Sequence, residues 1–373
     1  MSRAQCRLLV FVVCLLVAVA ALRPAHAGDN ASAAVGPAVI TLELSPVSIT
    51  ANDIVYDPVR DRLYASLSGD QGALGNSIVA ITPDARVHDL GFIGSEPHVL
   101  ALADDATYLY VGLDGAGAVR RLNLTTLAAD PQWPLALGGA GMNVVIDMVV
   151  LDAAADVVAV SEGRDAHSWV NVRIYEAGVG RPTITPVGTQ HDRLEASDDP
   201  QRLYSLNTYT SGAELQELAV DDDGVTIVQS VEGRFGGLHP FDLRYAAGRL
   251  YGSDGRLVDA TTLAPLGRFA AEGPVAPWPA TGRVFFIDYD DQYLRADLRL
   301  FDVNTFRQVA AARVPYFSGT WPNTPVELLH AGPNRLAFRT ATGQVYWLHY
   351  HIFDDLSYVP FLGRAPWAGR AAE

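Results

Sequence analysis

Beyond Cys14 the chain contains no cysteine, and none of its 373 residues is lysine. The two cysteines, Cys6 and Cys14, lie in a leader that reads as removable, so the fold must hold without disulfides. Thiol nucleophiles, thiolate zinc sites, iron–sulfur clusters and covalent c-type haem are excluded with them. Because all 27 basic residues are arginine, Schiff-base catalysis, Ser-Lys dyads and the lysine of a phosphate-binding P-loop are excluded as well. Neither G-x-S-x-G nor H-E-x-x-H occurs, which removes the common serine-hydrolase and zincin signatures.

Arg3 and Arg7 precede an apolar run over residues 8–22, and Ala25-His26-Ala27 follows. The run has 15 residues, short of the roughly 20 a spanning helix needs, so residues 1–27 read as a secretory signal peptide cleaved before Gly28. An uncleaved N-terminal anchor is the alternative. The expected location is the periplasm or the extracellular space, with no stable membrane insertion after cleavage. Without Arg3, Arg7 and Arg23 the chain carries 27 − 3 = 24 basic and 42 acidic residues, a formal charge of 24 − 42 = −18. Nucleic acid and anionic membrane are poor partners for such a surface, whereas cations or basic surfaces would be attracted. Acidity of this kind also keeps exported proteins soluble.

One strand recurs down the chain. DRLYAS at Leu63 is restated as TYLYVG at Leu109, DVVAVS at Val157, QRLYSL at Leu203, GRLYGS at Leu250, GRVFFI at Val284 and NRLAFR at Leu336. The spacings are 46, 48, 46, 47, 34 and 52, close to the period of four-stranded propeller blades. A short apolar strand precedes each copy, and a Gly-, Asp- or Ser-rich turn leads from it to an alternating strand such as NSIVAI or VNVRIY. Turns of N-L-T-T-L type at Asn123, Asp259 and Asp302 close the unit, their side chains suited to cap local backbone groups. Asp221 to Gly224, DDDG, reads as the equivalent turn in its own blade rather than as a calcium site.

The stretch LYVGLDGAGAVRRLNLTTL, residues 109–127, resembles the blade signature of secreted bacterial YVTN-type propeller repeats: an LYV-type strand, a hairpin, then V-x-x-[ID]-x-x-T. The resemblance spans residues 39 to 355, with departures at Val157, at the shortened Leu250 blade and at Leu336. It implies a seven-bladed propeller and no single activity. The WD dipeptide is absent, as is the tryptophan-docking repeat of quinoprotein dehydrogenases.

The expected fold is therefore all-β: a seven-bladed β-propeller of four-stranded antiparallel blades over residues 38–362, with a linker at 28–37 and a C-terminal tail at 363–373. A single blade cannot bury both faces of its sheet, so blades must stack and the ring must close. The last blade lacks a fourth strand of its own. Residues 38–44 are expected to supply it and latch the ring, with residues 357–362 as the competing candidate.

In such a ring the first strand of each blade lines the channel, so residues about 46 positions apart converge at one mouth. Those positions hold Asn52, Asp53, His98, Asp147, His191, Asp192, and His239 or Asp242, while the next two blades offer Gly273 and Pro325. Together they could form a ligand site, hold a divalent cation such as calcium, or pair a His with a carboxylate as general base. They could equally hydrogen-bond neighbouring blades. Asp288, Asp290 and Asp291 form a D-x-D-D cluster in what reads as a long loop, a second place for calcium or simply solvated charge. Gly138 to Gly141 precedes a strand rather than a helix and makes a poor phosphate loop. Trp278, Trp321 and Tyr316 fall in Pro-rich loops, where they either form a recognition surface or cap the space between blades.

The reading that results is a monomeric exported binding module that engages an unknown protein or small molecule at one face. The alternative is a metal-assisted hydrolase of lactone or ester type.

Overall fold

The computed structural model describes residues 38–136, 143–151, 156–164, 170–188, 191–209, 212–236, 241–290, 295–315, 317 and 323–353. The leader, the linker, residues 138–141, 357–362 and 363–373, and His239, Asp291, Tyr316 and Trp321 lie outside these.

A first strand, β1 (Val39–Thr50), precedes the first blade, which is β2 (Asp53–Asp57), β3 (Arg62–Ser66), β4 (Ser77–Ile81) and β5 (Val87–Phe92). The second is β6 (Pro97–Leu102), β7 (Tyr108–Leu113), β8 (Ala118–Asn123) and β9 (Trp133–Pro134). The third is β10 (Val144–Val150), β11 (Val157–Gly163), β12 (Asn171–Glu176) and β13 (Val179–Gly180). The fourth is β14 (Arg193–Ala196), β15 (Arg202–Asn207), β16 (Glu214–Asp221) and β17 (Gly224–Val231). The fifth is β18 (Leu243–Ala246), β19 (Arg249–Gly252), β20 (Arg256–Asp259) and β21 (Pro265–Arg268). The sixth is β22 (Val275–Trp278), β23 (Arg283–Asp290), β24 (Arg295–Asp302) and β25 (Gln308–Arg313). The seventh is β26 (Pro325–His330), β27 (Arg335–Thr340) and β28 (Gln344–Phe353), completed by β1.

Each blade is an antiparallel meander in sequence order, and the seventh runs β26-β27-β28-β1. The N-terminal strand thus closes the ring, pairing with β28 from Val39 opposite Phe353 to Pro46 opposite Tyr346. Seven hydrophobic clusters fill the gaps between consecutive blades, and the one around Ile54, Leu63, Val345 and Trp347 joins the last blade to the first. The recurring Leu-Tyr segment is the second strand of every blade. Packed on both faces by neighbouring blades, it has no solvent side and needs an unbroken apolar run, as in β3 and β7. The outermost strands have one wet face and alternate, as β17 does.

The turns form as their sequences predict. One Asn123 oxygen accepts the N–H groups of Thr125 and Thr126, both at 2.9 Å, and Asp259 and Asp302 repeat the arrangement. Asp221 caps Asp223 and Gly224 at 2.9 and 3.0 Å, so DDDG is a backbone turn. The loop expected around Asp288 and Asp290 is instead the end of β23, paired with β24 through Asp288 opposite Asp297 and Asp290 opposite Arg295. Sheet pairing prevails there because the strand's buried residues, Val284 to Ile287, extend its ladder outward. Trp278 caps the space between blades six and seven, with its ring centroid 6.0 Å from Phe285 and 5.0 Å from His330.

Candidate functional site

The first strands of the blades surround a central cavity of about 310 Å³. Asn52, Asp53, His98, Asp147 and Asp242 reach it, so five of the sequence-predicted positions do converge. Their convergence follows from the ring: Asn52 and Asp242 stand just before an inner strand, Asp53 opens β2, His98 is second in β6 and Asp147 lies midway along β10, all at inner strands that surround the axis. Gly273 is not part of the lining, and blade six gives no side chain to it.

The channel carboxylates join one blade to the next. Asp53 accepts the N–H of Ile54 at 3.0 Å and that of Leu100, on the following blade, at 2.8 Å. Asp147 does the same with Met148 and Leu194, both at 2.8 Å. Glu195 accepts the N–H of Tyr245 at 2.8 Å, and Asp242 that of Val275 at 3.2 Å. The Asn52 amide donates to the Pro97 carbonyl at 2.8 Å, and the Ser66 hydroxyl to the His98 carbonyl at 2.5 Å. At the four gaps these acids span, a carboxylate from the preceding blade thereby satisfies an unpaired main-chain donor of the next inner strand.

Burial sets the electrostatics. It pushes Asp53 up to about 7, with the negative charge of Glu327 adding to the effect. Glu195 is pushed up to about 8 and Asp242 to about 6 by burial, against the opposing charge of Arg244. Asp147 is also raised by burial. Arg244 stands among three carboxylates: Asp242 at 3.2 Å, Glu195 at 3.6 Å and Glu327 at 3.9 Å. Arg339, from the second strand of the last blade, pairs with Glu327 at 3.0 Å. At the mouth, His98 lies 2.9 Å from Asp114, whose hydrogen bond raises the imidazole's pKa.

Arg193 opens β14, just past the expected His191 and Asp192, while Glu195, Arg244, Glu327 and Arg339 were not legible from strand starts. The signal that finds Glu195, Arg244 and Glu327 is the position two residues further along the inner strand: Arg193-Leu194-Glu195, Asp242-Leu243-Arg244, and Pro325 with Glu327. In the last blade a register shift between Pro325 and Glu327 blurs it. His191 and Asp192, expected at the mouth, are buried off the cavity. His191 sits with Nδ1 2.7 Å from the Ser205 hydroxyl, and burial lowers it to about 4. Asp192 accepts the Thr208 N–H at 2.8 Å and also its hydroxyl.

Asp288 pairs with Arg299 at 2.7 Å and Asp290 with Arg295 at 3.5 Å. Among the described residues no three His, Asp or Glu side chains converge as a metal site would require.

No protein-family model matches the chain, and no curated protein matches its sequence. Solved structures do resemble it in fold. One is the β-propeller domain of Cps50 (Swd1) from Myceliophteria thermophila, with a TM-score of 0.59 and 12% identity, covering 83% of this chain and 99% of that one. Another is hydrazine synthase from Kuenenia stuttgartiensis, with a TM-score of 0.55 and 11% identity, covering 80% of this chain and 95% of that one. Identities this low establish the shared propeller architecture and nothing about activity.

Proposed function

We propose that the chain is an exported propeller of YVTN type that works as a monomeric recognition module, binding a protein or small molecule around the channel mouth at His98 and Asn52. The observation that carries this reading is how the channel carboxylates are used. Asp53, Asp147, Glu195 and Asp242 each accept a main-chain N–H from the next blade, and Glu327 is held by Arg339. Such a wall builds a rigid ring and leaves recognition to the rim. Export is supported by the leader's arginines and its 15-residue apolar run, and the YVTN assignment by residues 109–127.

The test is a paired assay on purified protein starting at Gly28. Recognition without catalysis requires that the protein be inert toward a panel of lactones and esters, with and without added calcium or zinc. Metal-dependent turnover abolished in both His98→Ala and Asp147→Ala would replace the binding reading with the hydrolase.

A further inference from the structure

We propose that the inner wall of the ring is a proton-binding site that tightens the propeller as pH falls from alkaline to neutral, bound protons standing in for counter-cations the wall lacks. This goes beyond the recognition reading and does not depend on it.

The geometry shows a shortage of positive charge. Around the cavity β2 brings Asp53, β10 Asp147, β14 Glu195, the residue before β18 Asp242, and β26 Glu327, five carboxylates in all. Three guanidinium groups face them, Arg193, Arg244 and Arg339. β22 brings no charged side chain, and β6 brings His98, already held by Asp114. Even these three are not fully available. Arg193 directs Nε to the Phe241 carbonyl at 2.7 Å and Nη1 to the Asp192 carbonyl at 2.5 Å. Arg244 is divided among three acids, and its Nε, though 3.2 Å from Asp242, makes no aligned hydrogen bond. Asp53 and Asp147 form no ion pair among the described residues and accept only main-chain N–H groups.

Carboxylates enclosed in one small cavity without matching cations take up protons rather than stay charged. A protonated carboxyl keeps a carbonyl oxygen that still accepts the next blade's N–H, so the bridge between blades survives while the repulsion across the channel disappears. The elevated affinities of Asp53, Glu195 and Asp242 for protons agree with this.

The direction of the pH effect follows from linkage. Acids raised in the folded state make it hold more protons than the unfolded chain, from the ordinary carboxylate range up to about 7 for Asp53 and about 8 for Glu195. Folding stability contributed in this way is full at low pH and is lost as pH rises through those values. His98, raised by Asp114, adds the same sign. His191 and His330, both lowered by burial, act oppositely, but only below the ordinary imidazole value of roughly 6.5. The diagnostic window is therefore pH 6.5 to 9.

Thermal melts of the protein from Gly28 onward are expected to fall by about 5 °C across that window. Glu195→Gln and Asp53→Asn should each remove a substantial part of the fall, whereas the exposed control Asp222→Asn should leave it intact. Equal slopes in all four proteins would assign the fall to general charge repulsion and overturn the proposal. Should a channel variant fail to fold, infrared difference spectra of the native protein decide: a protonated-carboxyl band present at pH 6.5 and lost by pH 9 is expected, and its absence overturns the proposal.

Discussion

Glu162 shows how a charge is kept inside this protein. It is fully buried, yet its carboxylate accepts from the Tyr175 hydroxyl at 2.7 Å, Arg173 Nε at 3.1 Å and the Asn171 amide at 3.2 Å. Asp57 is built alike, holding Arg60 at 3.0 Å, the Tyr64 hydroxyl at 3.0 Å and two main-chain N–H groups. Removing such an acid strands its donors in a dry site. Glu162→Ala is expected to cost about 3–5 kcal/mol, lowering the melting temperature by about 6 °C or more, whereas Tyr175→Phe should cost only about 1 kcal/mol. A calorimetric melt that ranks the two variants the other way would contradict this account. Neither acid stood out in the sequence: ionised residues inside strand patterns read as solvent-facing until the partners from adjacent strands are known.

Strands differ in how much of themselves the sequence reveals. The second strand of each blade is enclosed by neighbours and announces itself through an apolar run such as Leu109 to Val111. Fourth strands shrink to two residues in β9 and β13, where little burial is at stake and little pattern remains. β1 is the longest of the fourth strands described, with 12 residues, and must hold the ring shut. Its loss would bare the outer edge of β28 and withdraw Ile40 and Val47 from the two clusters on either side of the last blade. A protein lacking residues 28–46 is expected to melt at least about 10 °C lower, or without cooperativity. An unchanged midpoint would show that another segment closes the ring.

At the scale of the whole molecule, stability comes from seven similar interfaces rather than from cross-links. No cysteine lies in the described residues, so saturating reductant should leave the melting curve of the protein from Gly28 onward unchanged. The repeat, the blade number and the closing strand were all legible in the sequence, because each depends on local periodicity and on whether a segment is wetted on one face or none. The convergence of Asp53, His98, Asp147 and Asp242 was also legible, since ring symmetry brings equivalent positions together. The remainder was decided only when the blades were stacked. Whether Asp53 reaches the Leu100 N–H, whether His191 faces the channel or a neighbouring blade, and how many arginines oppose the inner carboxylates depend on distances of a few ångströms between residues far apart in sequence. Local propensity carries no information about such distances. Charge balance in a shared cavity is a property of the closed ring and of no single strand.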